Sequence, residues 1–163
     1  MRGLSLFLGG VAVGLGVQLA IAQSQNQNDD IVRLNHVGVS VPDMGSAISY
    51  YTETLGFPEA FRIENDSGEI ALVYVQVSEN TFIEIQPANA NRPEGISHFG
   101  LHVDNMVSVT DRFKESGATV RDIVNSSSGA ILSNVIDPEG IRMELAELPS
   151  TSLHRQAMDR WEP

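Results

Sequence analysis

The sequence predicts an α+β fold made of two tandem β-α-β-β-β modules. Three observations carry this reading. Stretches with apolar residues at alternate positions recur along the chain, and each half contains one stretch of helical period. The order of these elements runs through once and then starts again. Landmarks in the two halves keep a nearly constant offset: His36 and His98 are 62 residues apart, Gly56 and Gly117 are 61 apart, and Glu84 and Glu144 are 60 apart. One helix cannot cover the apolar face of each small sheet, so the two sheets are expected to pair.

The first module opens with a strand over residues 34–41, ended by Pro42-Asp43. Asp43 can cap a helix carrying Ala47, Ile48, Tyr51 and Leu55, and Gly56 stops it. Strands follow over residues 59–64, 69–77 and 81–87, separated by the turn segments Asn65-Asp-Ser-Gly68 and Ser78-Glu-Asn80. The second module repeats the order. A strand over 97–103 leads to Asp104, the expected cap of a helix with Val107, Val109 and Phe113 that ends at Gly117. Strands are then expected over 119–124, 130–137 and 141–147, with Asp137-Pro-Glu-Gly140 as the last turn. The modules span residues 32–88 and 96–147, within a domain of residues 31–148.

Residues 1–22 do not read as part of this fold. A positive start at Met1-Arg2, an apolar run from Leu4 to Ile21 and small residues at Ala20 and Ala22 form the three parts of a secretory signal peptide. Cleavage after Ala22 would export the protein to a periplasmic or extracellular space, with no stable membrane insertion afterwards; a retained N-terminal anchor is the competing reading. Residues 23–30 are polar and aperiodic, as in a disordered linker. Residues 149–163 form a C-terminal tail. Its Leu153, Met158 and Trp161 are spaced as a short amphipathic helix, which could cover the site or a homodimer face.

The chain has 163 residues, enough for one domain with a real core, and a formal net charge of -11 with a pI of about 4.6. That charge argues against nucleic acid as a partner and against docking on an anionic membrane. The absence of cysteine excludes disulfides, thiolate nucleophiles and Cys-ligated zinc. What remains for chemistry is concentrated in four residues. His36 and His98 lie on the first strand of each half, and Glu84 and Glu144 on the last. A carboxylate set among apolar neighbours, as in Phe82-Ile-Glu-Ile85, is costly unless it meets a cation. The same pair recurs in both halves, so the four are expected to hold one divalent metal: Zn, Ni, Co, Mn or Fe, which softness alone does not distinguish. Two imidazoles and two carboxylates would leave two octahedral positions open for water or substrate. Gly100 is expected to leave room beside His98 for a ligand. His102 reads as a structural residue and His154 as a solvated one.

The segments Leu34-Asn-His-Val-Gly-Val, Tyr50-Tyr-Thr-Glu-Thr-Leu-Gly-Phe57, Phe82-Ile-Glu-Ile, Ser97-His-Phe-Gly-Leu and Asp137-Pro-Glu-Gly-Ile-Arg-Met-Glu144 resemble the vicinal-oxygen-chelate superfamily, also called the glyoxalase/bleomycin-resistance/extradiol-dioxygenase fold. The resemblance implies a cup-shaped, mostly antiparallel sheet around one metal, with His36, Glu84, His98 and Glu144 at the ligand positions. Four filled positions resemble glyoxalase I and methylmalonyl-CoA epimerase. This implies a lyase or isomerase of lactoylglutathione-lyase type acting on a small molecule, with Glu144 as base and Glu84 as the alternate. An Fe(II)-dependent extradiol-type dioxygenase using His36, His98 and Glu144 is the runner-up, and a non-enzymatic binder the third reading. Residues 124–130 lack the Lys-Gly-Gly-like loop of bacterial glyoxalase I.

Overall fold

A computed structural model describes residues 30–162. The expected leader (residues 1–22) and all but the last residue of the expected linker lie outside the described residues. Among the described residues, no helix is long and apolar enough to cross a membrane.

The first module contains β1 (Ile31–Val41), α1 (Met44–Ser49), β2 (Glu59–Glu64), β3 (Ile70–Ser78) and β4 (Thr81–Pro87). The second contains β5 (Gly95–Val103), α2 (Met106–Glu115), β6 (Thr119–Val120), β7 (Val124–Asn125), β8 (Ile131–Ile136) and β9 (Arg142–Glu147), and a third helix follows, α3 (Leu153–Asp159). The strands form one sheet in the order β2-β3-β4-β1-β5-β9-β8-β6, with β7 also paired to β8. β1 runs parallel to β4 and β5 parallel to β9; the other pairs, including the β1–β5 seam between modules, are antiparallel. The fold is therefore α+β with a mostly antiparallel sheet, and the two modules pair within one chain.

Strand period two divides the side chains between the faces. Val73, Val75, Ile83 and Ile85 pack with Met44, Ala47, Ile48 and Tyr51 of the α1 segment. Val103, Val135, Met143 and Leu145 pack with Met106, Val109 and Phe113 of α2. The alternate residues, including Tyr74, Phe82 and Ala146, pack with Ala157 and Met158 of α3. Thus α1 and α2 cover one face, and α3 lies with Glu84 and Glu144 on the other.

Asp43 caps α1 as expected, its Oδ1 accepting from the Ser46 amide at 2.9 Å. The helix then widens into a π turn over Tyr50–Thr54, closed by a bond from the Leu55 amide to the Tyr50 carbonyl. The wider turn rotates Leu55 outward, so it is exposed rather than core. The cap of α2 is Asn105, not Asp104: Asn105 has the extended backbone of a cap, and its Oδ1 accepts from the Ser108 amide. Starting one residue later, the helix buries Met106, Val109 and Thr110 and turns Val107 outward. The strand expected over 119–124 is broken into β6 and β7, because the Ser133 hydroxyl takes the Arg121 carbonyl out of the ladder.

Candidate metal centre

The four candidate ligands meet on the face covered by α3. Each offers a ligand atom, and these atoms lie within 4.8 Å of one another with all four residues buried. Two rows of residues across the sheet bring them together. Gly38 of β1 is paired with Glu84 of β4 on one side and His98 of β5 on the other. Gly100 of β5 is paired with His36 of β1 and with Glu144 of β9. Each row thus reads Glu–Gly–His across three adjacent strands. The glycine in the middle is what lets the imidazole lie down across its strand. A Cβ at Gly38 would overlap the His98 ring, and a Cβ at Gly100 would overlap the His36 ring. The space at Gly100 therefore holds the ring of His36, where the sequence suggested room for a ligand beside His98.

Two β-bulges orient the rings. Between the pairs Leu34–Leu101 and His36–Gly100, Asn35 is an extra residue on β1; between Gly38–His98 and Val39–Ile96, Ser97 is an extra residue on β5. Each bulged residue directly precedes one of the two histidines and turns its side chain to that ring's Nδ1. The Asn35 Oδ1 lies 3.1 Å from His36 Nδ1, and the Asn35 amide group donates to the Asn80 carbonyl, which fixes the oxygen toward the ring. Ser97 Oγ lies 2.9 Å from His98 Nδ1, donates its proton to the Gly38 carbonyl and accepts from Gln86. In both cases Nδ1 must carry the proton, so each Nε2 presents a lone pair to the centre.

The Nε2 atoms face each other at 3.1 Å. Glu84 Oε2 lies 3.3 Å from His98 Nε2 and 3.7 Å from His36 Nε2, and Glu144 Oε1 lies 3.5 Å from His36 Nε2. Four acceptors converging on one buried point repel unless a cation lies among them, and a donor set of two imidazoles and two carboxylates fits a divalent transition metal.

The two carboxylates differ. Burial raises Glu84, but the positive charge and N–H of the facing His98 and His36 rings when protonated, with the Tyr74 hydroxyl donating at 2.6 Å, outweigh it and lower Glu84 to about 2. Burial and the neighbouring carboxylates keep Tyr74 itself protonated. Burial and the charge of Glu84 push Glu144 up, despite a 3.2 Å contact from Arg142 to its Oε2. Burial pushes His36 down to about 3, so its ring is neutral at neutral pH.

A cavity of about 680 Å³ opens onto Glu84 and Glu144. Arg92, Arg142, Gln86, the loop residues Ser126, Ser127 and Ser128, and His154 also border it. His154 is buried rather than solvated, at 2% exposure, because the C-terminal tail docks as α3 over the site. His102 is buried as well and stands outside the four-residue cluster. Reading the sequence missed Asn35, Gly38, Tyr74, Ser97 and Arg142. Gly38 and Asn35 carried a usable signal, since Gly38–Gly100 and Asn35–Ser97 share the 62-residue offset of the histidines.

The model of the Glyoxalase/Bleomycin resistance protein/Dioxygenase superfamily matches residues 33–145. The chain belongs to this superfamily. Within it, an ethylmalonyl-CoA/methylmalonyl-CoA epimerase of Cereibacter sphaeroides is 31% identical over 101 residues, covering 55% of this chain and 75% of that protein. The lactoylglutathione lyase of Salmonella typhimurium is 27% identical over 125 residues, covering 71% of this chain and 93% of that enzyme. The fold is shared with methylmalonyl-CoA epimerase from Mycobacterium tuberculosis, at a TM-score of 0.62, 21% identity, and coverage of 72% of this chain and 88% of that one. A 2,3-dioxygenase from Pseudomonas sp. KL28 also shares it, at a TM-score of 0.61 and 16% identity, covering 72% of this chain and 42% of that one.

Proposed function

We propose that this protein is a divalent-metal-dependent lyase or isomerase of the glyoxalase-I and epimerase type, moving a proton on the carbon next to a substrate carbonyl. The observation that carries the reading is the ring of four facing donors, His36, Glu84, His98 and Glu144, with both Nε2 lone pairs turned inward. These four would hold Zn, Ni, Co, Mn or Fe, which when bound acts as a Lewis acid that polarises the carbonyl and weakens the neighbouring C–H bond. Glu84 facing both histidines is what separates this from a three-ligand iron dioxygenase.

Glu144 is the proton carrier. Its carboxyl is pushed up while that of Glu84 is held low, so a proton leaving carbon rests more readily on Glu144. Arg142 steadies Glu144 through Oε2, leaving Oε1 toward the centre. Glu84, tied to Tyr74, stays ionised. Arg92 and Arg142 balance the two site glutamates in the cavity lining, so a divalent ion held by the four ligands would make the site net positive and favour an acidic acyl substrate. The names of the epimerase and lyase relatives support a thioester or hemithioacetal.

The test is proton exchange. Metal-loaded protein is incubated in deuterated water with hemithioacetals and with α-chiral thioesters. Metal-dependent deuterium uptake is expected, falling by about 10²–10⁴-fold in Glu144→Gln; no uptake with any of these compounds contradicts the reading. Residues 1–22 we assign to export, as a cleaved leader or a retained anchor, and the mass of the mature N-terminus distinguishes the two.

A further inference from the structure

We propose that α3 is part of the active site and that His154 is a substrate-contacting residue, its imidazole donating a hydrogen bond to an oxygen of the bound acyl substrate. This rests on the metal-centre reading above. The polar groups at the centre are otherwise matched: His36 with Asn35, His98 with Ser97, Glu84 with Tyr74, Glu144 with Arg142. His154 is the exception. It is 2% exposed, and both ring nitrogens are buried without a hydrogen-bond partner. Burying an imidazole in that way lowers stability unless something else completes it.

Packing does not explain the residue. The ring stands edge-on against Phe61 at 4.7 Å, Tyr74 at 4.5 Å and Phe82 at 5.7 Å between centroids. Those surroundings suit phenylalanine better than histidine. Its location points to a ligand instead. His154 borders the cavity that holds Glu84 and Glu144, and its ring centroid lies 6.4 Å from that of His36. A substrate oxygen near the metal centre is within reach of a small group placed between the two.

The ring is also held in place. Ser152 caps α3 by accepting from the Arg155 amide, the Leu153 amide donates to the Ser128 carbonyl, and Ala157 and Met158 are buried in the core. A side chain fixed this way is preorganised for a ligand. The superfamily match ends at residue 145, before α3 begins. A neutral imidazole offers one N–H and one lone pair, which fits a carbonyl or carboxylate oxygen.

The experiment uses the full chain loaded with Co(II), whose visible bands report ligation. It is titrated with acetohydroxamate, a small chelator that binds through two oxygens, in the wild type, His154→Phe and His154→Gln, alongside thermal unfolding of each. His154→Phe is expected to bind acetohydroxamate about tenfold more weakly, with a melting temperature equal to or above wild type. His154→Gln, which keeps a donor, should stay within about threefold of wild type. The ¹⁵N imidazole signals of His154 should shift on adding acetohydroxamate. Unchanged affinity in His154→Phe with a lowered melting temperature would overturn the inference, leaving His154 a packing residue. Failure of the wild type to take up cobalt would show at the loading step and would overturn the metal-centre reading, and this inference with it.

Discussion

At the scale of single residues, the centre depends on side chains that are absent as much as on those present. Gly38 and Gly100 carry no chemistry, yet a methyl group at either would occupy the place of the His98 or the His36 ring. Gly38→Ala and Gly100→Ala are each expected to lower stability by about 1–3 kcal/mol and to weaken metal binding, measured by denaturant unfolding and by competition with a chelator. The tautomer-setting residues make a separate expectation. Asn35→Leu and Ser97→Ala leave all four ligands in place but free the Nδ1 atoms, so metal affinity should fall by about 10–100-fold. The clustering of His36, Glu84, His98 and Glu144 was legible in the sequence because the pair recurs at nearly one offset in two halves. Asn35 and Ser97 share that offset too, but the offset does not place them at the site, because a regular strand would turn a residue next to a site histidine to the opposite face. Only the bulges bring both onto the same site, and nothing in a period-two pattern announces them.

At the scale of elements, the sequence was reliable where hydrophobic period and turn residues agreed. β2 and β4 have the expected ends, and β1, β3, β5, β8 and β9 differ by a few residues at most. It was less reliable where one side chain decides. Asn105 wins the cap of α2 over Asp104 because its backbone is extended and its oxygen reaches the third amide on. Asn105→Ala should therefore cost about 1 kcal/mol, and Asp104→Ala markedly less, in chemical denaturation. The tail shows the largest gap between pattern and structure. Its apolar spacing suggested a short helix, but not that the helix would bring His154 under a cover of Phe61, Tyr74 and Phe82. That placement depends on long-range contacts, the packing of Ala157 and Met158 with Phe61, Tyr74 and Phe82 and the bond from the Leu153 amide to the Ser128 carbonyl, which only the folded chain defines.

At the scale of the whole molecule, the buried histidines set the response to acid. Burial holds His36 at about 3 and His154 at about 4, against an ordinary value of 6.5. Below about pH 6.5 the unfolded chain takes up protons that the folded chain refuses, so stability falls with pH by about 1.4 kcal/mol per unit for each group. That loss ends near the folded values. Glu84, held at about 2 against 4.5, acts in the same direction at lower pH: its contribution is present above about 4.5 and is lost as pH falls toward 2. Glu144, pushed up by burial and by Glu84, acts with the opposite sign and offsets part of this loss as it takes up its proton. With two buried imidazoles against that one carboxyl, the metal-free protein is expected to lose stability as pH falls below about 6.5. Stability that stays flat from pH 7 to 4 in urea titrations would contradict the burial of these rings.

The duplication that organises the sheet also organises the centre: each module supplies one His, one Glu, one glycine and one bulge residue to a site that lies on the seam between β1 and β5. The measurement that tests this most directly is elemental analysis of the purified protein beside its Glu84→Gln and Glu144→Gln variants. One divalent ion per chain is expected in the wild type, with occupancy sharply reduced in each variant while thermal unfolding still shows a folded domain. A wild type without metal after loading, or variants that keep full occupancy, would contradict the account.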